Sequence, residues 1–261
     1  MNIHIGKRRR TTLPIERSIL GVDVMPLTQQ EAIAFLGERI RSGEFTKIAF
    51  LNAHVANLAT ADETFRETLD DFVVFPDGLG VDIASALLHG HPFPANLNGT
   101  DFVPAFIASH TAPLRIGLIG TTRANVELAA NHLRAFAPQH EIVMVQDGFF
   151  AKADEPEILA HLEEVRPDIL LVAMGVPRQE RWIEEHLTEK HCTVALGVGA
   201  LLDFMSGTIP RAPLQVRRLG LEWLFRLIME PMRLWRRYII GNPLFLMRVL
   251  GRKLSRGDGS R

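Results

Sequence analysis

The sequence predicts an α/β sandwich with a mostly parallel sheet, followed by a basic helical appendage. Three observations carry this. From about residue 19 to 200, short apolar runs alternate with longer amphipathic ones. The short runs are near-continuously apolar, as in strands covered by helices on both faces. The net charge of −1 hides an asymmetry. Residues 211–261 hold twelve Lys and Arg against Glu222, Glu230 and Asp258, a local charge of +9, and Lys7 to Arg10 add four more cations. Residues 11–210 then carry −14. An acidic body with a basic end implies an anionic partner for that end.

In chain order, strands are expected at 19–24, 47–51, 72–75, 115–119, 141–145, 168–173 and 193–198. Helical patterns lie between them, for example at 28–41, 123–136, 156–165 and 178–187. Thr28 and Glu31 have the spacing of a capping box that opens the first helix. After Arg211 the chain turns rich in Leu, Trp and Arg, and Pro231 and Pro243 should divide it into about three short helices. That run reads either as amphipathic helices packed on the core or as a membrane-surface segment, with Arg at the headgroups and Trp, Leu and Phe below them. Three regions follow: a flexible basic N-terminus (1–18), an α/β core (19–210) and the appendage (211–261).

Composition excludes several classes. Hydrophobic residues make up 47% and charged residues 23% of 261, which is ordinary globular usage rather than disorder. One cysteine, Cys192, excludes a disulfide framework and a cysteine-rich zinc site. No apolar stretch is long enough for a membrane span, and the basic start lacks the apolar core of a signal peptide. The aromatic residues of the basic end sit among aliphatics without a nucleic-acid motif, so nucleic acid is not an expected partner.

Five motifs could carry chemistry, each with a plainer reading beside it. Asp77, in Phe75-Pro76-Asp77-Gly78-Leu79-Gly80, follows a strand. It either faces a ligand at the carboxyl end of the sheet or supplies turn chemistry. Asn52, in Asn52-Ala53-His54, either bonds a ligand hydroxyl or caps a helix. Asn98-Gly99-Thr100-Asp101 is either a ligand loop or a helix cap. Met174 to Glu180 joins a buried strand to a helix whose N-terminus could receive a phosphate, with Gln179 and Glu180 in its first turn. Gly197-Val198-Gly199 is a partial dinucleotide fingerprint, but Leu202 stands where Gly or Ala belongs, and Gly117 and Gly120 complete none either. There is no Walker loop, G-x-S-x-G elbow, H-E-x-x-H or Asp-x-Asp pair, and the ten His show no ligand spacing. Neither a metal nor a cofactor is expected.

Taken in order, these pieces resemble the WecG/TagA/CpsF family of bacterial glycosyltransferases over about residues 19–247. Gln146-Asp147-Gly148-Phe149, Arg211-Ala212-Pro213, Gly220 to Leu224 and Gly241-Asn242-Pro243 belong to the same ordered set. The resemblance implies a Rossmann-like core and an inverting, metal-independent enzyme. It would move a hexose or N-acetylhexosamine-type sugar from a UDP-sugar to a polyprenyl-diphosphate-linked saccharide. The work would be done peripherally, at the cytoplasmic face of the bacterial inner membrane, in surface or exopolysaccharide synthesis. An anionic membrane surface is then a partner, and a homo-oligomer is left open.

By the same resemblance Asp77 matches the catalytic base and Asn52 the active-site Asn. Substrate contacts would come from Asn98, Thr100, Asp101, Gly120, Gly175, Gln179, Glu180 and Gly199. Arg211, Arg226, Arg233, Arg236 and Arg237 would close over the diphosphate. Two positions depart from the common pattern: Phe50, where many members carry Thr, and Asn96, where many carry Arg. The N-A-H and N-L-N-G-T-D forms look more like the exopolysaccharide branch, such as xanthan-type glucosyltransferases. Competing readings are an NAD(P)-dependent oxidoreductase, against which the incomplete fingerprint counts, and a non-catalytic membrane adaptor, which would leave Asp77 without a purpose.

Overall fold

The computed structural model describes residues 15–257, so most of the expected N-terminal region, residues 1–14, lies outside the described residues. Strands β1 (Arg17–Ile19) and β2 (Val22–Val24) form an antiparallel hairpin with Ile19 opposite Val22. The single strand expected at 19–24 is therefore two. Leu20 and Gly21 both take positive φ, 54° and 92°, which is the two-residue turn whose twist suits a hairpin. The hairpin stays outside the main sheet and hooks on where Met25 N–H donates to the Val74 carbonyl at 2.9 Å.

The main sheet has six parallel strands in the order β4-β3-β8-β7-β5-β6. These are β3 (Thr46–Leu51), β4 (Val73–Pro76), β5 (Arg115–Gly120), β6 (Glu141–Gln146), β7 (Ile169–Ala173) and β8 (Val194–Gly197). Strand β7 is buried at every position, as its unbroken apolar run requires.

Helices α1 (Gln29–Ser42), α5 (Gly99–Ser109), α6 (Arg123–Phe136) and α9 (Leu201–Met205) pack on one face. Helices α2 (Ala53–Ala61), α3 (Glu63–Asp70), α4 (Leu79–His89), α7 (Glu155–Val165) and α8 (Arg178–His186) cover the other, with the hairpin. The capping box of α1 is present: Glu31 N–H donates to Thr28 Oγ1, and Thr28 N–H donates to Glu31 Oε2 at 2.8 Å.

The C-terminal part is helical: α10 (Leu214–Arg218), α11 (Glu222–Met229), α12 (Pro231–Trp235) and α13 (Gly241–Gly257). Pro231 opens α12, where a missing N–H costs nothing. Pro243 does not break the chain as expected. A π-helical turn, Arg236–Ile240, joins α12 to α13, and Gly241 N–H donates to the Arg236 carbonyl. The widened turn shifts the hydrogen-bond ladder just ahead of the proline, which has no N–H to give. Helix α13 is knitted into the core: Phe245 and Val249 are fully buried in the cluster that includes Val55, Ala56, Val81 and Ala84.

Candidate active site

The chain leaves β5 through α6 toward β6, and leaves β7 through α8 in the opposite direction toward β8. Beyond the carboxyl ends of strands that diverge like this, an open α/β sheet has a crevice. A cleft of about 1480 Å³ opens there and runs across the ends of β3 and β4 to the appendage.

Asn52 and Asp77 meet on its floor. Asn52 caps α2: its Oδ1 accepts from the N–H groups of His54 and Val55, each at 3.1 Å. That use fixes the amide, so its Nδ2 points away from the helix and donates to Asp77 Oδ2 at 3.0 Å. Capping and site chemistry, alternatives in the sequence, are two ends of one side chain. Asp77 directly follows β4, its N–H donating to the Leu51 carbonyl at 2.8 Å. Burial raises its carboxyl above the usual range; the Asn52 hydrogen bond and the charges of Arg237 and Arg226 pull the other way. The neighbouring His54 is pushed down to about 4 by burial and by Arg237, so it is neutral at physiological pH.

The two departures from the family pattern have structural roles. Asn96 Oδ1 accepts from Gly78 N–H at 3.0 Å and Asn98 N–H at 3.3 Å, bracing the turn after Asp77. Phe50 is 7% exposed, and its ring packs closely on Gly99, where a Cβ would stand 3.1 Å from it.

Asn98, Thr100 and Asp101 border the cleft as one hydrogen-bonded cap. Asn98 Oδ1 accepts from Asp101 N–H at 2.9 Å and from Thr100 Oγ1 at 2.7 Å. Asp101 then holds the appendage: its Oδ1 accepts from Arg211 at 2.9 Å and from Arg217 at 2.8 Å. Arg211 also donates to the Thr100 carbonyl at 3.1 Å and does not border the cleft, so it anchors the appendage rather than lining the site. Arg217 was not singled out in the sequence, because nothing local marks it as a partner of a residue 116 positions away.

Arg226, Arg233, Arg236 and Arg237 all border the cleft. Arg233 pairs with Glu230 through two contacts, at 2.8 and 2.9 Å. Arg236 lies over the Trp235 ring, 5.3 Å from its centroid. Arg226 stacks over Phe204 at 5.3 Å. The Nε atoms of Arg226 and Arg237 are buried without a partner. Burial and the charges of Arg226 and Arg233 lower the pKa of Arg237, while Asp77 and Tyr238 oppose this. Crowded cations with unpaired donors suit an anionic ligand.

Gly175 and Gly199 border the cleft at the ends of β7 and β8, both at positive φ. Gly120 does not border it. A Cβ there would lie 2.4 Å from the Ala173 carbonyl oxygen, so this glycine permits close strand packing. Gln179 reaches the cleft wall and Glu180 does not; both are only 1% exposed and turn inward, so neither presents its side chain openly to a ligand. A cluster the sequence did not reveal borders the crevice: Asp203 accepts from Thr121 Oγ1 and from Asn125 Nδ2, the latter at 2.9 Å. Thr122, capping α6 directly after a strand, was the available signal. Among the described residues, no group of three or more His, Cys, Asp and Glu is arranged to hold a metal ion.

An open parallel sheet with a carboxylate at its carboxyl edge and arginines bordering the same cleft can offer a proton acceptor and cations to one ligand. Residues 17–259 match the family described as Glycosyl transferase WecG/TagA/CpsF, and the chain belongs to it. It is 27% identical over 237 residues to an N-acetylglucosaminyldiphosphoundecaprenol N-acetyl-beta-D-mannosaminyltransferase of Staphylococcus aureus (strain MW2), covering 88% of this chain and 91% of that protein. An enzyme of the same name from Bacillus subtilis (strain 168) is 29% identical over 207 residues, covering 78% of each.

Proposed function

We propose that the protein transfers a hexose or N-acetylhexosamine-type sugar from a UDP-sugar to a polyprenyl-diphosphate-linked saccharide, with inversion, in the synthesis of a surface polysaccharide. The observation that carries this is Asp77, oriented by Asn52 and opposed by Arg226 and Arg237 within one cleft. The acceptor hydroxyl oxygen attacks the anomeric carbon while Asp77 takes its proton. The bond from that carbon to the diphosphate oxygen breaks, and the electron pair leaves with UDP. The arginines meet the developing charge in a partly water-excluded site. The names of the relatives above support a lipid-linked acceptor, and the N-A-H and N-L-N-G-T-D forms favour an exopolysaccharide product.

The appendage would bring the active site to an anionic membrane, at the cytoplasmic face. On the appendage Ile228 is 70% and Met232 87% exposed, with Trp235, Met247 and Leu254 also open. Large exposed apolar side chains among arginines suit a lipid interface. No helix among the described residues is long and apolar enough to cross a membrane. The region 211–261 thus acts as a membrane-associating unit whose last helix is also part of the core.

The test is UDP release from a panel of UDP-sugars with a short-chain polyprenyl-diphosphate saccharide, comparing wild type with Asp77→Asn. Acceptor-dependent release with one donor, reduced about 10²–10⁴-fold in the variant, is expected for loss of a general base. A variant at the wild-type rate removes Asp77 from that role. Absence of release with every UDP-sugar overturns the donor assignment.

A further inference from the structure

Glu180 is a buried carboxyl that the transfer chemistry leaves unused. It sits in the first turn of α8 at 1% exposure, without an ion-pair partner among the described residues. Its Oε1 accepts from Gln179 Nε2 at 2.8 Å, and its Oε2 has no partner. Burial pushes its pKa up to about 7. A carboxyl kept in such a place costs stability, which calls for a reason other than folding.

Gln179 supplies the reason. Its Oε1 accepts from two backbone N–H groups, Gly175 at 3.2 Å and Gly199 at 3.1 Å. These belong to the loops leaving β7 and β8, both in the left-handed region, at φ 79° and 56°. Turned over, the amide would set its NH₂ against two N–H donors. The oxygen of Glu180 on the other side holds it in the productive sense. Gly197 makes room: a Cβ there would lie 2.9 Å from Gln179 Nε2 and 3.2 Å from Glu180 Oε1.

We propose that Glu180 is a positioning residue for the donor nucleotide: acting through Gln179, it ties together the loops after β7 and β8 and so sets the cleft wall at the switch point before ligand arrives. This rests on the UDP-sugar reading above. The full-length protein is compared with Glu180→Gln, Glu180→Met and Gln179→Met, using UDP binding by calorimetry, donor KM and kcat, melting temperature, and hydrogen exchange at the Gly175 and Gly199 amides. Glu180→Met removes the buried carboxyl but leaves Gln179 Nε2 without its acceptor, two opposed effects that keep its melting temperature close to wild type. It nevertheless frees the amide, so UDP affinity falls and donor KM rises by about tenfold, with kcat at saturating donor within about twofold. Glu180→Gln restores an acceptor for Gln179 Nε2 and recovers most of the affinity. Gln179→Met speeds exchange at both glycines.

Wild-type affinity in Glu180→Met overturns the proposal, as does a loss of affinity that follows melting temperature across all variants. Failure of the wild type to bind UDP sinks the donor reading and this role with it. In that case the exchange data still decide the brace itself: slow exchange at Gly175 and Gly199 in Gln179→Met shows that it does not exist.

Discussion

Replacing Asn52 by Asp tests the floor of the site most directly. The substitution keeps the α2 cap, since Asp and Asn cap equally well. It also places a second carboxylate where Asn52 Nδ2 now donates to Asp77, at 3.0 Å. Two unit charges at that distance repel by about 1.4 kcal/mol at the dielectric of water and about 5.5 kcal/mol at an effective value of about 20. That corresponds to a displacement of about one to four pH units in the second deprotonation of the pair. With Asp77 as the base, the wild-type rate should rise with pH as Asp77 loses its proton, above the ordinary carboxylate range because burial raises it. In Asn52→Asp this rising limb should move further up by at least about one unit. Stability must follow with the sign linkage dictates. The folded pKa lies above the unfolded one, so the variant loses stability relative to wild type as pH climbs past about 4 and regains it on acidification. Asn52→Ala is the control. It loses the cap, about 1 kcal/mol, and the donor to Asp77, without adding a charge. The assay is kcat for UDP release against pH, with melting curves across the same range. A limb for Asn52→Asp that superimposes on the wild type would refute the argument, because either Asp77 is not the base or the two side chains are not neighbours.

Other consequences follow from the same contacts. Phe245→Ala should destabilise by about 3–5 kcal/mol in urea unfolding, since Phe245 is fully buried between the last helix and the core; an unchanged midpoint would mean that α13 is not docked through this ring. If the appendage arginines hold the diphosphate as proposed, Arg237→Met should weaken UDP binding by about 10–100-fold in calorimetry while the protein remains folded, because a cleft-lining guanidinium with a buried, unpartnered Nε is removed. Cys192 is buried and its thiol is pushed up to about 12, so it should resist iodoacetamide at pH 8 until the protein is unfolded. Prompt labelling of the native protein would contradict the packing around it.

Much of this protein follows from its sequence taken by itself. The apolar runs of β3 to β8, the Thr28–Glu31 box and the helices between strands depend on local periodicity and nearby hydrogen bonds, which neighbouring residues set. The same local order marked Asn52 and Asp77 as residues just beyond strands and Asn98 as a ligand loop or helix cap. Tertiary structure decided what those residues do. Asn52 and Asp77 are 25 positions apart and meet only because β3 and β4 pair in parallel with their carboxyl ends level. Among the appendage arginines, Arg211 and Arg217 both pair with Asp101, while the charges of Arg226 and Arg237 act on Asp77. No local pattern distinguishes these four, because the carboxylate that holds two of them arrives from a helix more than 100 residues earlier. The inward turn of Gln179 and Glu180 has the same origin: a helix N-terminus may present its side chains to a ligand or to the strand beside it, and the glycine at position 197, in the neighbouring strand, makes the second arrangement fit.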